Sequence, residues 1–143
     1  MTSYAEIFNL ALRKITDPAL AKWPEEDLSN ELYGWLQTAI SRIPQLKSVT
    51  VERDAFDPAK AESIGFINDL SDTHKEALAI GMQRAWLAPQ ITSVTNTLSR
   101  YSKKEGYSQA EHLKQLVALD ESLKVELRKL FRDDTYANDG YFD

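Results

Sequence analysis

Two histidines, His74 and His112, are the side chains with the widest chemical repertoire, because imidazole both binds metals and transfers protons near neutral pH. Each falls within the first turn of a predicted helix. Neither has a second histidine or a cluster of carboxylates at the spacing that places ligands on one helical face. A zinc site requires several such ligands together. We therefore expect solvated or helix-capping roles for both histidines, and no metal site.

Paired carboxylates are the second chemical possibility, since two acids in a cleft can perform general acid–base catalysis. The pairs Glu25/Glu26 and Asp133/Asp134 instead flank predicted helix ends. The first pair suits the positive end of a helix, whereas the second occupies the unfavourable end. The second pair therefore indicates that its helix ends there or that a basic partner is near.

Signatures of covalent and phosphate chemistry are missing from the sequence. There are no cysteines, which excludes disulfides and thiolate chemistry, and the five glycines are scattered singly. No glycine-rich phosphate loop and no serine nucleophile elbow is present. We predict a protein that is not an enzyme and that needs no cofactor.

The net charge of −5 argues against direct DNA binding, because nucleic-acid binders normally carry a basic stripe. The densest basic cluster, formed by Arg100, Lys103 and Lys104, is followed at once by Glu105. This cluster is predicted to contact an acidic surface on a neighbouring protein. The sequence has no signal peptide and no apolar run of membrane-spanning length, so we expect a soluble protein, cytosolic where it is made.

Apolar residues recur at three- and four-residue spacing along most of the chain, as in amphipathic helices. The sequence predicts a mainly α fold, a bundle of about four to five helices forming a single domain over residues 1–132.

Capping boxes at Ser3/Glu6, Thr73/Glu76 and Ser108/Glu111 predict three helix starts, and Pro24 suits the first turn of another helix. Asp17-Pro18 and Pro44 predict helix ends. The predicted helices cover residues 4–15, 24–43, 73–88 and 108–132, with Pro89 kinking or interrupting the third. The third helix is apolar on most of its surface and should be the central one. In the last helix, Val117 is predicted to lie on the same apolar face as the leucines.

Residues 45–70 are predicted to form a loop or short β-hairpin insertion between helices. Val49 and Val51 alternate with polar residues, as in a short strand. Asp57-Pro58 then indicates a turn. Gly34, in the middle of the second helix, lowers helix stability by about 1 kcal/mol, which nearby packing is expected to offset.

The last segment, residues 133–143, is predicted to be an extended C-terminal docking tail. It holds four aspartates together with the aromatic residues Tyr136, Tyr141 and Phe142. Aromatic side chains between turn residues and acids suit a strap laid into a groove on a neighbouring surface. Trp23, just before Pro24, is the tryptophan expected to be partly exposed, and these four aromatics are the candidate interface residues.

The second half of the chain resembles small structural proteins found near the head-to-tail junction of tailed bacteriophages, known as connector, adaptor or neck proteins. The resemblance covers roughly the last 80 residues, and the first 65 carry no match of this kind. It rests on the stretches Phe66-Ile67-Asn68-Asp69-Leu70, Gly81-Met82, Trp86-Leu87-Ala88-Pro89-Gln90, Tyr107-Ser108-Gln109-Ala110-Glu111-His112-Leu113 and Thr135-Tyr136-Ala137-Asn138.

This resemblance implies a virion component that forms homo-oligomeric rings, commonly of about twelve subunits. Such rings are stacked below the portal protein and surround the channel through which DNA passes without sequence-specific binding. It also implies extended termini that dock on the portal or on adjacent connector or tail proteins. Three alternatives stay open: another phage tail-completion or baseplate protein, a cytoplasmic protein-binding module, and an enzyme.

Overall fold

The computed structural model describes the backbone of residues 1–98 and 103–138 and the side chains of residues 1–96 and 109–135. Within these residues the chain is mainly helical, which confirms the predicted fold class. The α-helices are α1 (Tyr4–Lys14), α2 (Glu25–Arg42), α3 (Lys47–Thr50), α4 (Asp72–Leu98) and α5 (Lys103–Asn138). Two short strands, β1 (Thr2–Ser3) and β2 (Gly65–Phe66), complete the described elements.

The starts of α1 and α4 follow local capping chemistry. The Ser3 hydroxyl accepts a hydrogen bond from the Glu6 amide at 3.2 Å, which confirms the predicted cap of α1. The start of α4 is also capped, but two residues earlier than predicted. There the Ser71 hydroxyl accepts from the His74 amide at 3.2 Å. His74 therefore lies within the first turn of its helix, as expected.

Two Asp-Pro-Ala sequences form the same local structure. The carboxylates of Asp17 and Asp57 each accept a hydrogen bond, at 3.0 Å, from the backbone amide of the alanine two residues later. Each proline begins a short 3₁₀ turn, over Pro18–Lys22 and Pro58–Lys60. A proline at the first turn removes only an amide that would have had no partner there.

Contacts within the chain form two compact units, Met1–Gln83 and Arg84–Asp143. The division falls inside α4, whereas the sequence prediction placed its one boundary at residues 132–133. In the first unit, β1 pairs antiparallel with β2, and Arg53 forms a further bridge to Phe66. The chain start is thus held against residues more than sixty positions later, because the Thr2 hydroxyl also accepts from the Leu70 amide at 2.9 Å.

Tyr4 is the centre of the aromatic core of the first unit. It is fully buried, and its ring lies 5.4 to 6.3 Å from the rings of four other aromatic residues. These neighbours are Phe8, Tyr33, Phe56 and Phe66. Such separations and mostly edge-to-face angles are the geometry that aromatic pairs prefer.

The first part of α4 is buried on nearly all sides, which confirms its predicted central position. Ala77, Leu78, Ala79 and Ile80 are all fully buried. Gly81 allows α2 to approach closely, because a Cβ atom there would lie only 2.7 Å from the Cβ of Ala39. α4 continues through Pro89 to Leu98, so of the two predicted outcomes, a kink or an interruption, the interruption does not occur.

The second unit consists of the rest of α4 and α5. Arg84 Nε donates to Asp120 Oδ1 at 2.9 Å, and both side chains are about one-fifth exposed. Every third or fourth residue of α5 is buried or half-buried, as in a helix with one packed face. These residues are Gln109, Leu113, Leu116, Asp120, Leu123, Leu127, Leu130 and Asp134. Val117, predicted on the same face, is 42% exposed and lies off it.

Three local predictions are wrong. The strand predicted around Val49 and Val51 does not form, and α3 covers this part of the chain. Leu46 and Thr50, four residues apart, are both buried, which favours a helical turn. A 2.8 Å hydrogen bond from the Thr50 hydroxyl to the Leu46 carbonyl closes the turn. The last helix begins at Lys103, before the predicted cap, because a long helix tolerates the single Gly106. It also continues to Asn138, so the first part of the predicted extended tail is helical. Residues 139–143 lie outside the described residues.

Candidate interaction surface

Trp23 lies between two helical elements that fix its position. The preceding 3₁₀ turn is anchored by buried Leu20, and the Trp23 amide donates to the Leu20 carbonyl at 3.2 Å. Pro24 directly precedes α2 and has a restricted backbone. With its backbone held on both sides, the Trp23 side chain is 41% exposed, as predicted.

The outward face of α2 continues the surface that Trp23 begins. Asp27, Asn30, Glu31 and Gly34 are exposed and follow the three- and four-residue spacing of one helical face. Buried Leu32, Leu36 and Ala39 lie on the opposite side of the helix. Trp23, Asp27, Asn30, Glu31 and Gly34 together are called the α2 face below. At its start is a shallow depression of about 540 Å³, lined by Lys22, Trp23, Pro24, Asp27, Asn30 and Glu31.

Gly34 has no packing role within the described structure. A Cβ atom at this position would meet no other atom within 4 Å, in contrast to Gly81. α2 is continuous through Gly34, with Leu32 and Leu36 buried on its other side, but the glycine itself takes no part in that packing. A helix-interior glycine costs about 1 kcal/mol relative to alanine. Gly34 thus leaves a stretch of exposed helix backbone within the α2 face, without any internal contact that needs it.

A second exposed face lies on α5. Val125, Arg128, Lys129 and Arg132 are all exposed and lie on one side of the helix, at positions i, i+3, i+4 and i+7. These four residues are called the α5 basic face below. The sequence prediction did not include this face, because the apolar stripe of the helix dominates its pattern. The signal that could have revealed it is the helical spacing of the cations outside that stripe.

The charges of the α5 basic face are largely uncompensated. Arg132 approaches Asp133 at 3.4 Å, in a pair exposed to solvent. Among the described residues, Arg128 and Lys129 form no ion pair with a carboxylate. Lys124 is different, since it contacts both Glu121 at 3.0 Å and Asp120 at 3.7 Å.

The other predicted interface residues lie wholly or partly outside the described structure. Arg100, Tyr141 and Phe142 fall outside the described residues. Lys103 and Lys104 lie in the first turn of α5, and Tyr136 lies in its last turns, but only their backbone is described. Their predicted roles in docking stay predictions.

The titratable residues of the first unit form structural contacts. Lys75 Nζ donates to Glu6 Oε1 at 2.7 Å, and this hydrogen bond raises the pKa of the lysine. Lys14 pairs with Glu76 beside it. Burial raises the pKa of Tyr4 from 10.0 to about 12, which keeps its phenol protonated. Within the described residues, no group of three or more histidine and carboxylate side chains is arranged to hold a metal ion.

The described helices include none that is both long enough and apolar enough to cross a membrane. Comparisons of the chain with models of protein families, with curated proteins and with solved structures gave no match.

Proposed function

We propose that this chain is a structural subunit of a tailed-bacteriophage virion, which forms a ring-shaped connector between the portal and the tail. It acts through protein–protein contacts and not through catalysis. The observation that carries the proposal is the α2 face, where a tryptophan on a fixed backbone is presented to solvent. Tryptophan is among the residues most enriched at the energetic centres of protein interfaces.

Exposed apolar side chains elsewhere support a role in assembly. In the first unit, Met1 and Ile67 are 56% and 51% exposed, and Val51 is 66% exposed. The pairing of Thr2 with Phe66 makes Met1 and Ile67 cross-strand neighbours. On α5, Val117, Leu119 and Val125 are 38–42% exposed. A subunit with several neighbours in a ring has more than one such surface to cover.

The acidic balance is compatible with a position around DNA. With a net charge of −5, the protein repels the phosphate backbone, so a channel lined by it lets DNA slide without adhering. This is a role for net charge, and it requires no base recognition.

The C-terminal aromatics and the basic cluster are assigned docking roles within this proposal. Tyr136, Tyr141 and Phe142 are proposed to bind the portal or an adjacent subunit. Arg100 with its neighbouring lysines is proposed to contact an acidic surface. Deleting residues 139–143 removes two of the three aromatics without shortening α5, and Tyr136→Ala tests the third separately.

Mass spectrometry of purified particles, with copy number, tests the proposal directly. We expect the protein in virions at the stoichiometry of one ring, together with portal and tail proteins. Its absence from virions, or its purification with one soluble partner alone, would contradict a connector function. If deletion of residues 139–143 and Tyr136→Ala both leave particle assembly unchanged, the docking role of the tail is wrong.

A further inference from the structure

The α2 face and the α5 basic face are complementary in charge. Every ionised side chain of the α2 face is acidic, namely Asp27 and Glu31. Every ionised side chain of the α5 basic face is cationic. Among the nearby acids, Glu126 and Asp133 point roughly 80–100° away around the helix from Val125. Glu121 lies one turn earlier on the same side, where it pairs with Lys124 at 3.0 Å. Surfaces of opposite sign attract each other and disfavour wrong partners.

The two faces are also alike in residue spacing and in apolar content. Asp27, Asn30, Glu31 and Gly34 have the same i, i+3, i+4, i+7 spacing as the four residues of the α5 basic face. Each face includes one exposed apolar side chain, Trp23 at 41% and Val125 at 38%. The indole ring can also accept a guanidinium or ammonium group over its face.

Gly34 gives the α2 face a feature that internal packing leaves unexplained. Because a Cβ there would meet nothing within 4 Å, the glycine serves no contact within the described structure. Small residues allow two helices to approach more closely than the usual axial distance of about 8–10 Å. An exposed glycine at this position is suited to receive another helix.

We propose that the α5 basic face of one copy docks on the α2 face of a second copy. This inference rests on the proposed assembly function and names the partner of the α2 face. Because the two faces differ, the contact is heterologous, and repetition of a heterologous contact forms a ring when the rotation closes. Each subunit then gives its α5 face to one neighbour and its α2 face to the other.

Charge reversal in the full-length chain tests the contact. One variant carries Asp27→Lys with Glu31→Lys, and the other carries Arg128→Glu with Lys129→Glu. Sedimentation equilibrium should show each variant alone self-associating at least about tenfold more weakly than the wild type. An equal mixture should regain association, because each reversed face then meets a reversed partner.

Matched controls carry the same charge changes on exposed positions outside both faces. Glu52→Lys with Glu62→Lys, and Lys47→Glu with Lys60→Glu, should associate as the wild type does. Thermal unfolding of every variant verifies that the fold is retained. Because all substituted side chains are exposed, we expect unfolding temperatures close to that of the wild type.

Three results would overturn the inference: a wild type that stays monomeric at all concentrations, variants that associate as strongly as the wild type, or a mixture that associates no better than either variant alone. None of them bears on whether the protein belongs to the virion, which the particle analysis decides. A protein present in particles but insensitive to these reversals would retain the proposed function and lose this interface.

Discussion

The Tyr4 hydroxyl donates a hydrogen bond to the backbone carbonyl of Asp54, fifty positions later in the chain. The same phenol ring lies among four aromatic neighbours and is fully buried. Tyr4 therefore joins the start of α1 to the segment that leads into β2. This one side chain combines apolar packing with a hydrogen bond that water is not expected to replace, because the residue is fully buried.

Tyr4→Phe should lower the free energy of unfolding by about 1–2 kcal/mol at neutral pH, because the Asp54 carbonyl loses its donor while the ring stays in place. The pKa of Tyr4 is about 12 in the folded protein and 10.0 in the unfolded chain, so folding favours the protonated phenol. The related stability is complete below pH 10 and is lost as pH rises towards 12. Denaturant unfolding of the wild type and of Tyr4→Phe should show that the difference in their free energies of unfolding shrinks between pH 10 and 12. A difference that stays constant over this range would contradict the raised pKa of Tyr4.

Gly65→Ala should destabilise the first unit by more than about 2 kcal/mol. An added Cβ would lie 2.0 Å from the Thr2 carbonyl oxygen and 2.7 Å from the Ser3 Cα, and both are backbone atoms that cannot move independently. Chemical denaturation would measure the loss. A change below about half a kilocalorie would show that β1 and β2 are less closely apposed than described.

Gly34→Gln should have opposite effects on stability and assembly. Since a side chain there enters open space, replacing the glycine should raise the free energy of unfolding by about 0.5 kcal/mol through helix propensity. The same side chain occupies the α2 face, so self-association should weaken. Denaturation and sedimentation on one preparation give both quantities. Wild-type association of this variant would exclude a close helix contact at Gly34.

The Arg84–Asp120 pair should show a coupling energy of about 1 kcal/mol or more in a double-mutant cycle with alanine, because both side chains are only about one-fifth exposed. The Lys124–Glu121 pair on the same helix provides a control. Its side chains are 40% and 60% exposed, so its coupling should stay below about 0.5 kcal/mol. Equal couplings for the two pairs would contradict the difference in burial.

Local signals predicted the helices well wherever the cause lay within a few residues. The cap at Ser3, the break at Asp17 and the proline before α2 act through neighbouring backbone groups, so the sequence shows them directly. Apolar residues on most sides of α4 likewise indicated its central position. Errors arose at α3, where burial of Leu46 and Thr50 favours a helical turn over the strand that the alternation of Val49 and Val51 indicated.

The interaction surface could be predicted only in part. Trp23 was identified because it lies just before Pro24, whereas Trp35 and Trp86 fall on the apolar faces of predicted helices. The rest of the α2 face depends on knowing that Gly34 faces open space, and a sequence does not show what surrounds a glycine. The α5 basic face was visible in principle, because its cations repeat at helical spacing. Its significance depends on exposure, which periodicity alone does not determine.

The pairing of β1 with β2 has a consequence for the order of folding. Thr2 contacts Asn68 and Leu70, at sequence separations of 66 and 68 residues, although most of the surrounding structure is made of local helices. Contacts this distant slow folding, because a long loop must close before they form. During synthesis the first strand has no partner until residue 65 has left the ribosome. The helices α1 and α2 must therefore stay soluble, with much of their apolar surface uncovered, until the chain has grown far enough to close the core.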